Sequence, residues 1–444
     1  MPKIISIKKK INNFNKTITV DADKSLSIRW ALLASQATGK SRAYNLLKSE
    51  DVSFTLDCLK KLGIQISQKK KYCEITGNGI GGFKFKKNII LDAGNSGTLS
   101  RLIPALLLKS PYKIKLIGDT SLSKRDFSRI IKPLEKFGAS FFPQKKTTLP
   151  IFIKGSENIR GIKYNEEKGS AQIKSCVILA ALNATGKTFI KAKKSRNHTE
   201  LMLKNLKIPI KIKQTKNFDF IKIKKIDKIK KINYTIPSDI SSSAFFIVLT
   251  ILSNNSQLLI KKVNINPTRI GAIRILKMMG AKIIFKNREM YKGEKMADIF
   301  VKSKNNLKAI KCPQNLNSSS IDEFLIIFLV AARAKGVSYF KDLAELNQKE
   351  SPRLNLGSKI LNMMGVKTEL TKNSIKIYGN PNLELKGKYV IKDYLKDHRI
   401  FMMSVIAALT FGGDWKISNP DSIKTSFPSF LNLVKLIGGR EVYE

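Results

Sequence analysis

Two sequence markers recur six times along this chain, and their shared period limits its possible folds more than any other feature. The first marker is a short polar turn that opens directly into an apolar helix pattern. Its reference positions are Lys24, Gly97, Ser170, Ser241, Asp322 and His398. The second marker is an amphipathic helix pattern that ends at a Gly or Pro before a short alternating strand. Its reference positions are Gly63, Gly138, Ile208, Gly280, Gly365 and Gly438.

Both markers advance by 70 to 85 residues per copy. Their agreement predicts six copies of a helix-and-strand unit, each longer than a solenoid repeat and each contributing part of a core. Because 444 residues exceed what one hydrophobic core usually covers, we expect two domains with three copies each. The Pro and Ser break at 235–238, between the third and fourth copies, predicts the middle boundary.

The polar turn at 92–101 is the clearest example of the first marker. It leads directly into an apolar helix pattern, so the unpaired N–H groups of the first helical turn face outward. Gly94 and Gly97 allow close approach to the backbone, and Arg101 offers a bidentate fork for phosphate or carboxylate. The stretch therefore predicts an anion site.

The basic residues are numerous but mostly lysine. The sequence carries 82 Lys and Arg against 33 Asp and Glu, a formal net charge of +49. No basic stretch with interleaved aromatic residues stands out, as a stacking surface for bases would require. We therefore interpret the charge as solvated surface and predict no specific nucleic-acid partner. The arginines that lie within motifs, where a planar fork binds anions, are Arg29, Arg101, Arg125, Arg196, Arg353 and Arg399.

The four cysteines argue against several classes of site. Cys58, Cys73, Cys176 and Cys312 form no C-x-x-C pair, and the chain has only two histidines. We expect no disulfide framework, no metal site and no cofactor. No apolar run approaches the roughly 18 residues that a membrane helix needs, and the first residues resemble a strand more than a leader. We therefore expect a soluble, cytoplasmic protein without a membrane partner.

Ten motifs, in order along nearly the whole chain, resemble those of the 5-enolpyruvylshikimate-3-phosphate synthases. They begin with the segments 23–29, 94–101 and 122–125, and they continue through both halves of the sequence. The remaining segments are 170–175, 195–200, 238–243, 322–324, 349–353, 397–400 and 425–428. One such motif would be weak, whereas ten in register are specific.

The resemblance implies an α/β (α+β) fold, a two-domain inverse α/β-prism built from six βαβαββ units, three per domain. The first domain would span 21–237, on the shikimate 3-phosphate side. The second would combine 1–20 with 238–444 and carry phosphoenolpyruvate and acid/base residues, with the active site in the cleft between the domains. Composition alone does not predict this crossing of the N-terminal strand.

The resemblance also implies the reaction: transfer of the enolpyruvyl group of phosphoenolpyruvate to the 5-hydroxyl of shikimate 3-phosphate, with release of phosphate. This is a transferase step of the shikimate pathway, in chorismate and aromatic amino acid biosynthesis, and the target of glyphosate. Both substrates are small polyanions, which suits a cleft rich in cations and helix N-termini. We expect these small molecules to be the partners and the chain to be a monomer.

Substrate-binding residues follow from the matched motifs. Those implied for phosphoenolpyruvate are Lys24, Arg125, Arg353 and Arg399, with Gly97 for close approach and Gln172 as a donor. Those implied for shikimate 3-phosphate are Ser25, Arg29, Ser170, Gln172 and Arg196. The same motifs add Asn95, Thr98, Ala171, Asp322 and Lys349, and Lys424 joins them with a one-residue offset. For the serines, a helix cap is an equally compatible role.

Catalysis needs a proton for the methylene carbon of phosphoenolpyruvate and a base for the attacking hydroxyl. The resemblance places Asp322 at the hydroxyl, Glu350 at the methylene carbon, Lys349 beside it, and Lys24 among the catalytic cations. Asp322 could instead cap its helix, and which of Asp322, Glu350 and Lys349 moves each proton is left open.

Two departures from the family pattern stand out. Pro352 replaces a common Asp between Glu350 and Arg353, and Asp126 replaces a common Pro after Arg125. A proline at 352 fixes φ and lacks a backbone N–H donor, so it can alter the orientation of the Glu350 and Arg353 side chains. Ala171 resembles the glyphosate-tolerant branch and Gly97 the sensitive one, so inhibitor response stays undecided.

Two other functions fit parts of the pattern. A UDP-N-acetylglucosamine enolpyruvyl transferase shares the fold, but many members carry a loop cysteine, and no cysteine lies here between 77 and 175. A nucleic-acid-binding protein or RNA 3'-phosphate cyclase has related repeats and suits the net charge. Phosphate release that requires both small substrates would distinguish the first interpretation from these two.

Overall fold

The computed structural model describes residues 3–440 and the backbone of 442 and 443. Contacts divide the chain into two compact units. The first unit contains Ala22–Ile236 and Lys292–Glu294. The second contains the chain up to Asp21, Pro237–Tyr291, and the chain from Lys295 onward.

Two strands precede the first unit and belong to the second: β1 (Ile4–Ile7) and β2 (Asn15–Ile18). The helices of the first unit are α1 (Lys24–Ser35), α2 (Glu50–Lys61), α3 (Gly97–Leu106), α4 (Thr120–Ser123), α5 (Ser128–Lys136), α6 (Ala171–Ala181) and α7 (His198–Asn205). Its strands are β3 (Ala37–Tyr44), β4 (Gln65–Gln68), β5 (Tyr72–Asn78), β6 (Ile90–Asp92), β7 (Ile114–Ile117), β8 (Ser140–Phe142), β9 (Ile151–Lys154), β10 (Lys163–Glu166), β11 (Lys187–Lys193), β12 (Ile210–Gln214), β13 (Phe218–Lys224), β14 (Ile229–Lys230) and β15 (Tyr234–Thr235).

The second unit continues with its own helices and strands, together with short 3-10 turns at Gln314–Leu316, Ala344–Gln348 and Pro420–Thr425. Its helices are α8 (Ile240–Leu252), α9 (Gly271–Met278), α10 (Asn317–Ser320), α11 (Phe324–Arg333), α12 (Arg353–Met363), α13 (His398–Phe411) and α14 (Phe430–Leu436). Its strands are β16 (Gln257–Asn264), β17 (Lys282–Tyr291), β18 (Glu294–Lys302), β19 (Gly336–Phe340), β20 (Thr368–Leu370), β21 (Ile375–Gly379), β22 (Leu385–Ile391), β23 (Gly412–Ser418) and β24 (Val442–Tyr443).

Each unit contains three sheets over the described residues. In the first unit the strand orders are β14-β3-β5-β4 with β15 beside β3, β6-β7-β9-β8, and β10-β11-β13-β12. In the second unit they are β17-β18-β16-β2, β19-β21-β20, and β22-β23-β1-β24. The N-terminal strands complete two of these last sheets, since β1 pairs with β23 and β2 runs parallel to β16.

The helices fall into two kinds that follow the two sequence markers. Helices α1, α3 and α6 of the first unit, and α8, α11 and α13 of the second, are buried along nearly their whole length, because most of their residues are apolar or small. The partly buried helices α2, α5, α9, α12 and α14 end at glycines with positive φ, the usual helix stop. At the third copy Lys207 takes this conformation, with φ 58°, just before Pro209.

Candidate active site

The polar turns of the first marker cap the buried helices. In the first unit the side chains of Asp23, Ser96 and Ser170 accept hydrogen bonds from backbone N–H groups of the first turns of α1, α3 and α6. In the second unit Asp239 and Asp397 do the same for α8 and α13. These caps leave the predicted site residues on the first helical turns, where N–H groups favour anions.

The fifth copy differs from this pattern. Helix α11 begins at Phe324, and its N-cap is Glu323, which makes no capping hydrogen bond. Asp322 lies one residue before this N-cap. Its carboxylate lies 3.3 Å from Lys349 Nζ and 3.6 Å from an Arg353 guanidinium nitrogen.

In the first unit, Gly97 lies between two guanidinium groups. A Cβ atom at this position would lie 2.8 Å from Arg101 Nη1 and 2.9 Å from Arg125 Nη1. Arg101 donates to the carbonyl of Gly97 at 3.2 Å, and Arg125 donates to Asn95 Oδ1 at 2.9 Å. Asn95 in turn donates to Asp119 at 2.6 Å. The absence of a side chain at Gly97 thus lets both guanidiniums approach the start of α3.

The start of α6 connects to the same place. Arg101 also donates to Gln172 Oε1 at 2.9 Å, and Gln172 Nε2 donates to Thr98 Oγ1 at 3.2 Å. The structure therefore brings together the predicted residues of two motifs that are about seventy residues apart in the sequence. Ala171 is the first residue of α6, directly beside this pair.

Replacing Gly97 by alanine should raise the KM for phosphoenolpyruvate about tenfold, because the new methyl group displaces two guanidiniums that the sequence predicts to bind anions, each worth a charge-assisted hydrogen bond. The backbone at Gly97 is not in the positive-φ region, and the crowded atoms are the ends of flexible side chains. The fold should therefore tolerate the change, and thermal melting should match the wild type. Steady-state kinetics with phosphoenolpyruvate varied tests this, and an unchanged KM would contradict it.

Arg29 and Lys24 lie on α1, and the structure gives both of them protein partners. Arg29 is only 4% exposed and donates to Thr199 Oγ1 at 2.9 Å and to Ser175 Oγ at 3.2 Å. It also donates to the carbonyl of Ser25, which fixes the first turn of the helix. Lys24 forms an ion pair of 2.9 Å with Asp51. Their roles toward substrate stay predictions.

The turn before α6 is held by Glu166, a residue that sequence reasoning missed. Its carboxylate accepts from the N–H groups of Lys168, Gly169 and Ser170 at 2.9 to 3.1 Å. Burial raises the pKa of Glu166, although these three donors oppose the shift. A carboxylate that accepts from three consecutive amides fixes the loop that presents Ser170.

The loop that carries Arg196 rests on a buried cation that was also missed. Lys174 on α6 is fully buried, lies 2.7 Å from Glu200 and 3.6 Å from Asp219, and donates to the carbonyl of Ser195. Arg196 is half-buried in this loop, between β11 and α7. Glu200 lay within a recognised motif, but nothing in the sequence pairs it with Lys174.

In the second unit, Arg353 forms ion pairs with three carboxylates. Its side chain is only 2% exposed, its Nε lies 2.8 Å from Asp397 Oδ2, and its other nitrogens contact Glu350 and Asp322. Burial alone would lower the pKa of Arg353, but Asp397, Glu350 and Asp322 outweigh burial and raise it. Burial likewise opposes ionisation of Asp397, yet Arg353 holds the pKa of Asp397 below its usual range.

Arg399 joins this cluster through the backbone. Its guanidinium donates to the carbonyl of Asp322 at 2.7 Å, and its own N–H donates to Asp397 Oδ1 at 2.9 Å. The structure thus brings together the predicted residues Asp322, Lys349, Glu350, Arg353 and Arg399. Asp397, which was recognised only as part of a motif, is the buried carboxylate that contacts both Arg353 and the backbone N–H of Arg399.

Pro352 and Asp126, the two departures from the family pattern, lie at or near helix starts, and Lys424 lies in a turn. Pro352 is the N-cap of α12, so Arg353 is the first residue of that helix. Asp126 accepts from the N–H of Ser128 at 2.9 Å and thereby supports the start of α5. Lys424 lies in a 3-10 turn with its side chain 55% exposed, 2.7 Å from Asp421.

Three of the four cysteines are buried, Cys312 is half-buried, and all four are present as free thiols. Burial raises the pKa of Cys58 to about 12 and that of Cys73 and Cys312 to about 11, and it raises the pKa of Cys176 further. No group of three or more metal-binding side chains occurs among the described residues. Within the same residues, no helix is long and apolar enough to cross a membrane.

All four thiols should react slowly with a disulfide reagent such as dithionitrobenzoate at pH 8, because the thiolate is the reactive form and little of it exists that far below the pKa. After unfolding in urea all four should react within minutes. Absorbance measurements on native and unfolded protein make the comparison, and a rapidly titrating thiol in the native protein would contradict the burial described above.

The sequence matches the EPSP synthase family, described as 3-phosphoshikimate 1-carboxyvinyltransferase, over residues 8–433. The chain belongs to this family. It is 39% identical over 431 residues to the 3-phosphoshikimate 1-carboxyvinyltransferase of Ruthia magnifica subsp. Calyptogena magnifica, with 97% of each chain covered. It is 38% identical over 433 residues to that of Thermodesulfovibrio yellowstonii, with 97% of this chain and 98% of the relative covered.

Solved structures agree with the family. The EPSP synthase of Acinetobacter baumannii at 2.37 Å matches with a TM-score of 0.86 and 34% identity over the whole of both chains. The enolpyruvyl transferase NikO of Streptomyces tendae matches with a TM-score of 0.77, but its 12% identity shows only a common fold. The recognition of the family and the prediction of its two-domain inverse α/β fold are therefore confirmed.

Proposed function

We propose that this EPSP synthase family member catalyses transfer of the enolpyruvyl group of phosphoenolpyruvate to the 5-hydroxyl of shikimate 3-phosphate through the residues described above. The family match over residues 8–433 carries the proposal. The predicted enzyme class, 3-phosphoshikimate 1-carboxyvinyltransferase, is confirmed by that match and by the names of the relatives. The roles of individual residues are part of the proposal.

The first unit supplies anion recognition. Arg125 and Gln172 bind phosphoenolpyruvate near Gly97, where two guanidiniums already converge on the start of α3. A guanidinium fork and the N–H groups of a helix start are both suited to phosphate and carboxylate oxygens. Lys24 adds a further cation to this set. The residues assigned to shikimate 3-phosphate are Ser25, Arg29, Ser170, Gln172 and Arg196. The further substrate-binding candidates of the same motifs are Asn95, Thr98 and Ala171.

The second unit supplies the proton carriers and their counter-charges. In the addition step, the 5-hydroxyl oxygen bonds to C2 of phosphoenolpyruvate, Asp322 accepts the hydroxyl proton, and Glu350 delivers a proton to C3. In the elimination step, the C2–O bond to phosphate breaks, C3 returns its proton to Glu350 as the double bond re-forms, and the departing phosphate takes the proton held by Asp322. Lys349, Arg353 and Arg399 surround these carboxylates and stabilise the charge that develops on phosphate. Lys424 is retained as a candidate for the same task.

The test is phosphate release from phosphoenolpyruvate, measured with and without shikimate 3-phosphate. Release should require both substrates, and mass spectrometry should identify 5-enolpyruvylshikimate 3-phosphate as the second product. UDP-N-acetylglucosamine in place of shikimate 3-phosphate should give no release, because that alternative is not favoured by the family match. Equal release in the presence and absence of shikimate 3-phosphate would overturn the proposal.

Two further features of the proposal concern assembly and location. We expect a monomer whose physiological partners are the two small substrates, which sedimentation velocity can test. The predicted cytoplasmic location stays a prediction, and cell fractionation would examine it.

A further inference from the structure

One sheet of the first unit carries an open groove on its solvent side. The groove has a volume of about 680 Å³ and lies across β10, β11, β13 and β12. Its lining contains five lysines and two phenylalanines, and we call this surface the lysine–phenylalanine face: Lys163, Lys191, Lys211, Lys213, Lys222, Phe189 and Phe220.

Strand register arranges rings and cations alternately on this face. Phe189 on β11 lies opposite Lys222 on β13, and Lys191 lies opposite Phe220. Lys213 on β12 lies on the other side of Phe220. The two rings are therefore diagonal neighbours, a relation that places residues of adjacent strands roughly 7–8 Å apart. Each ring has cations on the strands beside it.

The rings of Phe189 and Phe220 are exposed to solvent, although phenylalanine side chains are usually buried. Phe189 is 40% exposed and Phe220 is 41% exposed, whereas Ile190 and Ile221, which follow them on the same strands, are buried on the core side. Single exposed apolar residues are common on protein surfaces, whereas two exposed rings in one groove form a patch, and such patches commonly mark binding sites.

The face carries no compensating acid. None of the groove-lining residues is Asp or Glu. Asp219, which is on β13, points to the core side, where it pairs with Lys194 and Lys174. Glu167 follows the end of β10 and accepts from Asn165 there. The five lysines of the face are therefore uncompensated within the groove, so it is complementary to a polyanion.

Other sheets show that lysine enrichment alone does not produce this arrangement. On the sheet β19-β21-β20, Glu369 accepts from both Lys376 and Tyr378 and thereby neutralises the mixture of rings and cations. On the sheet that contains β3 and β5, Glu74 likewise pairs with Arg42 and Lys40. The lysine–phenylalanine face differs because it combines exposed rings, several cations and a groove without a carboxylate.

We propose that the lysine–phenylalanine face binds single-stranded nucleic acid without sequence preference. Unpaired bases stack on the rings of Phe189 and Phe220, while the lysines contact the phosphates that connect them. A four-stranded sheet that displays aromatic rings is a surface on which unpaired bases are known to stack. A duplex would satisfy the lysines but not the rings, because its bases are already stacked.

The test is fluorescence anisotropy with a labelled 12-nucleotide oligo-U and oligo-dT, with the full chain in 50 to 200 mM salt. Because neutralising four or five phosphates of a single strand gives a slope near −0.7 per contact, we expect affinity to fall by about 50- to 130-fold over this range. The double variant Lys191→Gln, Phe220→Ala should bind at least about tenfold more weakly than the wild type, since it removes one stacking contact and one phosphate contact.

The matched control is the double variant Lys341→Gln, Tyr339→Ala, in and directly after β19. It removes the same charge and one ring, and Lys341 lies over Tyr339 as Lys222 lies over Phe189 on the lysine–phenylalanine face. It should bind the oligonucleotide like the wild type. Equal weakening in both double variants would show general attraction to a basic chain and would overturn the proposal, as would equal affinity for a 12-base-pair duplex.

Further outcomes separate other partners and the enzyme activity. Absence of oligonucleotide binding overturns the proposal, including the case in which vesicles with 30% phosphatidylserine bind instead. Phosphate release should be unchanged in the Lys191→Gln, Phe220→Ala variant, because neither residue belongs to the substrate-binding set. The outcome of the oligonucleotide test is therefore independent of whether the proposed transfer reaction is confirmed.

Discussion

Replacing Glu350 by glutamine is expected to lower kcat by about a hundredfold to ten-thousandfold, the usual contribution of a positioned general acid or base. Glutamine keeps the size of the side chain and can still contact Arg353, which holds Glu350 in the wild type. It cannot deliver a proton to the methylene carbon or take one back. The KM values for both substrates should therefore change little, and steady-state kinetics of phosphate release separates the two effects.

Glu289→Gln provides the matched control for this variant. Glu289 is exposed on β17 of the same unit, so the substitution removes one negative charge from the surface without touching the cluster. Its kcat should equal that of the wild type. If Glu350→Gln keeps wild-type turnover, the proton must move through another group, and Asp322 and Lys349 would be the residues to substitute next.

Replacing Arg353 by methionine is expected to lower the free energy of unfolding by about 3–5 kcal/mol, the cost of leaving buried charges without their partner. Methionine fills much of the same volume, but Asp397 would remain fully buried and would lose the guanidinium that lies 2.8 Å away. Urea unfolding followed by circular dichroism measures the change. Lys376→Met removes an exposed cation that pairs with Glu369, and it should leave the unfolding midpoint unchanged.

The loss caused by Arg353→Met should depend on pH in a defined direction. Although burial opposes it, Arg353 holds the pKa of Asp397 below the ordinary 3.8, so the wild type gains stability from this carboxylate above about pH 3.8 and loses it as the pH falls through the lower folded value. Without Arg353, burial should raise the pKa of Asp397. Protonation of Asp397 then removes the cost of a buried charge and restores part of the free energy of unfolding of the variant. The difference between the two proteins should therefore be largest near pH 7, and it should shrink as the pH falls through the raised pKa of the variant towards the lowered pKa of the wild type. A difference that is constant from pH 7 to 3 would show that the ion pair is not its cause.

Local features were predictable from sequence because they depend on neighbours in the chain. The helix starts at Asp23, Ser96, Ser170 and Asp397 follow from polar residues before apolar runs, and the structure shows capping hydrogen bonds at each of them. The fifth copy was less predictable, because Asp322 contacts Lys349 and Arg353, charged residues from a later part of the chain.

Contacts between distant segments were not predictable in the same way. Glu166, Lys174 and Asp51 support predicted site residues, but no local pattern distinguishes them from other charged residues of a lysine-rich chain. The alternation of rings and cations around Phe189 and Phe220 was missed for a related reason. These residues belong to different strands, and only the register of β11 with β13 brings them together.

The strand pairing of the second unit has a consequence for synthesis of the chain. Ile5 on β1 pairs with Ile417 on β23, about 410 residues later in the sequence. At the usual elongation rate of about 5–20 residues per second, β1 waits about 20 to 80 s for this partner to leave the ribosome. The unit made in the middle of the chain, Ala22–Ile236, has its own three sheets and can fold during that interval. Strand β1 is therefore synthesised before the first unit but completes its sheet only after β23 has been made.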